Sequence, residues 1–196
     1  SALEAFWVGK YTTLPKVEFT SLSQIFTSIK NWYAKETSSF EKLILTPLLL
    51  TTFLLGVLNL AVVLFTAPHN WDGLTYHLAR VAYYLQHNNL NSFDSNYWAQ
   101  VIHPKNSSLL HLYTYLVSGR NENLTQLVQF ISYWVAVFSV YAISTKAGNS
   151  KTGSLFAAMI SGLLTEWLME ATTAQNDLIT TAYFGSIVYF LLAFKK

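Results

Sequence analysis

Most side chains able to do chemistry lie between residues 67 and 122 of this 196-residue chain. His69, His77, His87, His103 and His111 are there, with Trp71, Trp98, Asp72, Asp94, Arg80 and Lys105. Asp72 precedes Arg80 by a few residues, just after a long apolar run. A carboxylate beside a basic residue at a membrane surface can hold a phosphate-bearing headgroup or take a proton from an acceptor. Asp72 is also well placed to cap a helix starting at Gly73, the reading that spacing alone favours, and Arg80 can equally snorkel to lipid headgroups. Asp177, after ATTAQN, can cap the last apolar segment. The histidine spacings of 8, 10, 16 and 8 match no tight metal-ligand motif. With no cysteine, disulfides and cysteine-based metal or redox sites are excluded.

These residues must be positioned by a chain poor in charge. Charged residues make up 11% and hydrophobic residues 52%, where a soluble domain carries about 25% charge. The charges are absent from long stretches. LILTPLLLTTFLLGVLNLAVVLFT, residues 43–66, meets the roughly 20 residues that a helix needs to cross the bilayer. Pro47 falls in its first turns, where a missing N–H is tolerated. Residues 123–145 form a second span, more polar, with Gln126 and Gln129 expected to face other helices. A third is expected over 152–170, limited by Glu166, and a fourth over 178–194, the two joined as a hairpin through ATTAQND. The fold class is therefore all-α, a polytopic membrane protein with about four transmembrane helices.

The loop 67–122 is long enough to carry structure of its own. In GLTYHLARVAYYLQ, Leu74, Leu78, Val81 and Leu85 recur at helical spacing, with Tyr76, His77, Arg80, Tyr83 and Tyr84 opposite. SSLLHLYTYLVSG predicts a second helix after Pro104. Both read as amphipathic helices resting on the outer membrane surface. Before the first span, residues 1–42 form a separate segment. Leu22, Ile25, Phe26, Ile29, Trp32 and Tyr33 make a helical stripe there, with Ser21–Gln24 as a capping box. That helix either lies on the cytoplasmic membrane surface or packs on a neighbouring part of the protein.

Lysine and arginine set the orientation. With both termini cytoplasmic, nine basic residues lie inside and only Arg80, Lys105 and Arg120 outside, so loop 67–122 is external. SALEAFWV lacks the pattern of a cleavable signal. The first residue is not Met, so either Met was removed or the chain is a piece of something longer. A net charge of +2 without a basic cluster gives no nucleic-acid site.

Taken together, WDGLTYHLARV at 71–81, HPKNSSLLHLY at 103–113, NLTQLVQFIS at 123–132 and AQND at 174–177 resemble the family C membrane glycosyltransferases. The likeness is greatest to the bacterial branch related to protein mannosyltransferases and aminoarabinose transferases. It covers about residues 43–194, with the spans, long first loop and short acidic second loop in matching order. Such enzymes transfer a sugar from a polyprenyl-phosphate donor to an external acceptor. They are usually longer, so the resemblance covers only their N-terminal portion.

The resemblance implies roles by position. Asp72 matches the first-loop acid used as catalytic base or acceptor-orienting carboxylate. His77 and Arg80 would contact phosphate or sugar, and His103 and Lys105 match the region that approaches the lipid phosphate. Asn176 and Asp177 match the second-loop acid and its neighbour, which in some relatives bind metal or substrate. No cofactor is required by the likeness, although a divalent metal near Asp72 and Asp177 is left open. The implied partners are the lipid bilayer, a polyprenyl-phosphate-linked sugar and, in a larger complex, other membrane subunits. The competing reading is a non-catalytic four-span accessory subunit that keeps this fold without its activity.

Overall fold

The computed structural model describes residues 21–194, every regular element of which is helical. The basic residues Lys10, Lys16, Lys195 and Lys196, used above for orientation, lie outside the described residues. The chain divides into two compact units at Ser39/Phe40, against an expected boundary after residue 42. The first contains α1 (Leu22–Lys35), which begins with the predicted capping box: Ser21 and Gln24 each bond the other's backbone N–H.

The second unit carries everything else. It runs α2 (Ser39–Phe65), a π-helical turn (Gly73–His77) continuing as α3 (Leu78–His87), α4 (Ala99–Ile102), α5 (Asn106–Val117), a 3-10 turn (Asn123–Gln126) continuing as α6 (Leu127–Lys146), α7 (Lys151–Gly162), α8 (Thr165–Glu170) and α9 (Asp177–Phe194). Three stretches are long and apolar enough to cross a membrane: Ser39–Phe65, Asn123–Lys146 and Asp177–Phe194. The architecture is that of a polytopic helical membrane protein.

Two expectations about the spans change. The first span starts earlier, at Ser39, so Pro47 sits inside the helix rather than in its first turns. The SFEK sequence adds about one turn before the apolar stretch, with Glu41 favourable in it. The third expected span is not one helix. It breaks after Gly162, where Leu164 turns extended, and restarts as α8. Lone breaks at membrane depth persist only where neighbours re-satisfy the backbone. Here the Tyr133 hydroxyl donates to Gly162 O at 2.8 Å, and Asn59 Nδ2 donates to Leu168 O at 2.9 Å.

The core forms where α6 meets α7, α8 and α9. Tyr133, Val137, Ala158, Met159, Ala171 and Leu178 are buried together, with Leu48 and Leu49 of α2 packed on them. Close approach depends on small residues, as between membrane helices. A Cβ at Gly56 would meet the Trp134 ring at 2.6 Å, and one at Gly185 would meet Ser139 Cβ at 2.8 Å. Gln126 and Gln129 do face inward. Gln126 Nε2 donates to Thr66 O at 2.8 Å, tying the start of the second span to the end of the first. Gln129 Oε1 accepts from Ile179 N at 3.1 Å, satisfying a free N–H in the first turn of α9.

Candidate functional site

Both loop helices bury polar side chains inside the protein. In the first, His77 (1% exposed), Arg80 (0%), Tyr76, Val81 and Tyr84 are buried, while Leu74 is 50% exposed. In α5, Ser107, Ser108 and His111 are buried and Tyr113 is 67% exposed. The polar faces therefore meet each other, while of the first helix's apolar stripe Leu74 is exposed and Val81 is buried. Amphipathicity identifies two faces but not which is buried. Where lipid is the solvent, polar groups turn inward to find partners.

Arg80 shows why. Its guanidinium donates from Nε to Gln100 O (2.8 Å) and from Nη1 to Pro104 O (3.1 Å) and Ser108 Oγ (3.2 Å). Nη2 donates to Ala99 O (2.9 Å) and His103 O (2.9 Å). An arginine has five N–H donors, and five bonds spend them all. Four of the acceptors are backbone carbonyls in and just after α4, where the helix end carries partial negative charge. Arg80 is thus a staple for the loop, with all five donors engaged inside the protein.

His77 and His111 fill the same interior. His77 Nδ1 faces Ser107 Oγ (3.1 Å) and Ser108 Oγ (3.3 Å), while its buried Nε2 has no hydrogen bond of good geometry. The Asn176 side chain lies close enough to favour the protonated ring, but burial dominates, aided by His111 and Arg80, and pushes the His77 pKa down to about 3. His111 Nδ1 faces Thr125 O (3.0 Å) and Nε2 faces Gln175 O (3.1 Å). It thereby joins α5 to the start of the second span and to the loop before α9. Burial also lowers its pKa.

These shifts have a direction for stability. Both rings are neutral when folded, and the unfolded chain binds their protons first. Stability is complete above the ordinary histidine pKa of 6.5 and falls as the pH drops toward 3. Amide hydrogen exchange over residues 73–117 is expected to accelerate markedly from pH 7 to pH 4 after correction for intrinsic rates. The loss amounts to on the order of a few kcal/mol.

The acids gather on the other side of this interior. Asp72 does not cap the helix: its backbone is already helical and no hydrogen bond from another described residue engages its half-exposed carboxylate. Asp177 opens α9 and is exposed. Burial first, then the fields of Asp72 and Asp177, raise the Tyr76 pKa to about 12. Glu170 ends the last turn of α8, outside the three spanning helices, and its pKa is raised by burial, then by Asp177, Glu166 and Asp72. The first-loop and second-loop acids thus share one electrostatic neighbourhood with Glu170. Among the described residues no cluster of His, Asp or Glu has the arrangement to hold a metal ion.

Sequence reasoning missed the residues that bring the loops together. Asn70 Oδ1 accepts from Ala174 N at 3.2 Å. The Gln175 carboxamide, in the orientation its neighbours dictate, accepts from Asn70 Nδ2 at 2.7 Å. It donates to Glu170 (2.7 and 2.9 Å) and to Asp177 Oδ2 (3.1 Å). A polar residue just before a helix was the visible signal for Asn70, but its partners lie about a hundred positions away. Gly73 makes room for it, since a Cβ there would overlap the Asn70 side-chain oxygen. Gly73→Ala is expected to displace Asn70, costing about 1–3 kcal/mol of stability. A melting temperature equal to wild type would refute the bridge.

The remaining predicted residues are placed as follows. His103 is half-buried, its ring 5.0 Å from Tyr76 and 5.3 Å from Trp98. Lys105 starts α5 and donates to Ser92 Oγ at 3.1 Å. The turn that positions Tyr76 and His77 is a π-helix, closed by Leu78 N to Gly73 O. Such turns are frequent at functional sites. Comparison with protein-family models, curated proteins and solved structures gives no match.

Proposed function

We propose that the chain is a membrane glycosyltransferase-like protein that moves a sugar from a polyprenyl-phosphate donor to an acceptor outside the membrane. The observation that carries this reading is the unbonded, half-exposed Asp72 carboxylate. It is held on a π-helical turn beside Asp177 and Glu170, at the end of an apolar span. A carboxylate kept free of structural bonds is available to accept a proton.

In this reading the acceptor oxygen attacks the anomeric carbon while its proton passes to Asp72. The bond from that carbon to the phosphate oxygen breaks, and the lipid phosphate leaves with the electron pair. Its negative charge is met from the loop by His103 and Lys105, since Arg80 has no donor to spare. Asn176 and Asp177 bind the sugar from the second loop. Termini on the cytoplasmic side and loop 67–122 outside follow from the lysine and arginine bias.

A polyprenyl phosphate with a photoreactive group beside its phosphate tests the reading in proteoliposomes. Crosslinks are expected within residues 67–122. Crosslinks confined to the three spanning helices, or none at all, contradict it.

A further inference from the structure

A recess lies in the same loop. Residues 88–98 have no regular structure, yet other elements pin them in place. Phe93 stacks on Tyr83 at 3.7 Å, Ser92 holds Lys105, and the Ser95 hydroxyl donates to Gln100 Oε1 at 2.7 Å. Gln100 in turn donates to Thr75 O at 2.7 Å. The result is a fixed platform rather than a slack connection. It encloses an open hollow of about 460 Å³, bordered by Asp94, Asn96, Trp98 and Ile102 among others. That volume suits a small ligand, for which sites run from roughly 300 to 1,000 Å³.

The lining specifies the ligand's chemistry. Trp98 is 59% exposed and offers a flat apolar surface. Asp94 and Asn96 are exposed, and neither side chain bonds another described residue, so a planar carboxylate and a planar carboxamide are free to bind. One acid and no base line the hollow, which disfavours a phosphate. A pyranose ring carries an apolar C–H face and a rim of hydroxyls, matching an aromatic plate with planar polar groups beside it. A relay of ring contacts runs from the hollow toward the acidic cluster. Trp98 touches His103, and His103 stacks on Tyr76, which lies in the field of Asp72.

We propose that this hollow seats a hydroxylated sugar ring, stacked on Trp98 with its hydroxyls on Asp94 and Asn96, as the acceptor of the transfer. The word acceptor rests on the transferase reading, whereas the binding of the ring does not. Saturation-transfer NMR tests it on the whole chain in a detergent without a sugar headgroup. The probes are methyl α-mannopyranoside, methyl β-glucopyranoside and N-acetylglucosamine, with phenyl phosphate as the anionic control. At least one glycoside should give signal with wild type, and phenyl phosphate none at this hollow. Trp98→Ala and Asp94→Asn should each weaken the glycoside signal about fivefold, and Trp98→Phe should restore part of it. No glycoside signal with wild type, or an unchanged signal in folded Trp98→Ala and Asp94→Asn, overturns the proposal. Glycoside binding lost in Trp98→Ala, with no sugar transfer by wild type, would uphold the seat while removing the transferase reading.

Discussion

Asp72→Asn should reduce sugar transfer by at least about 10²-fold while leaving the fold intact. The two halves of that expectation have separate origins. Transfer falls because asparagine cannot take the proton of an attacking hydroxyl. The fold survives because the Asp72 carboxylate makes no cap bond and no side-chain hydrogen bond with another described residue. The substitution is nearly isosteric and removes only charge. It also relieves the field on Glu170 and Tyr76, whose pKa values Asp72 helps to raise. Melting temperature and proteolytic resistance should match wild type or slightly exceed it. A variant that transfers at the wild-type rate would remove Asp72 from the chemistry. One that loses activity only by unfolding would make Asp72 structural after all.

Arg80→Met should produce the opposite pattern, a large loss of stability in the loop 67–122 whatever the activity. The side chain is fully buried and makes five hydrogen bonds, four of them to backbone carbonyls. Methionine fills much of the volume but leaves those carbonyls without donors. Each unsatisfied buried acceptor costs about 1–3 kcal/mol, so a total of at least about 3 kcal/mol is expected. Arg80→Lys retains the charge but not the fork, and should fall between wild type and Arg80→Met. The sharpest readout is proteolysis between residues 88 and 105, because the staple holds α4 and the segment after it. A protected loop in Arg80→Met would show that other contacts suffice.

Three of the four expected spans were legible from the chain; the break in the other and the internal contacts were not. Charge-free stretches of spanning length mark α2, α6 and α9 directly, because a bilayer demands apolar length. Asp72 and Asp177 stand out as the acids that flank such stretches, and both enter the field around Tyr76. The break at Gly162–Leu164 carries no proline and no charge. It is held by Tyr133 and Asn59, residues 29 and 109 positions from their partners. The burial of the loop helices' polar residues was hidden for a different reason. Hydrophobic periodicity fixes an axis across a helix, and burial fixes its sign only when the surrounding solvent is known. Had the polar stripe of Tyr76, His77, Arg80 and Tyr84 been read as facing protein, Arg80 would have emerged as a staple. The Asn70–Gln175–Glu170 bridge is visible only once the two loops meet.

Release of free polyprenyl phosphate from a polyprenyl-phosphate hexose, measured in proteoliposomes with a soluble glycoside acceptor, tests the central claim most directly. Wild type should release the lipid phosphate in step with glycosylated acceptor, and Asp72→Asn should release none above the protein-free rate. Equal release by both proteins, or none by a correctly folded wild type, would contradict the account.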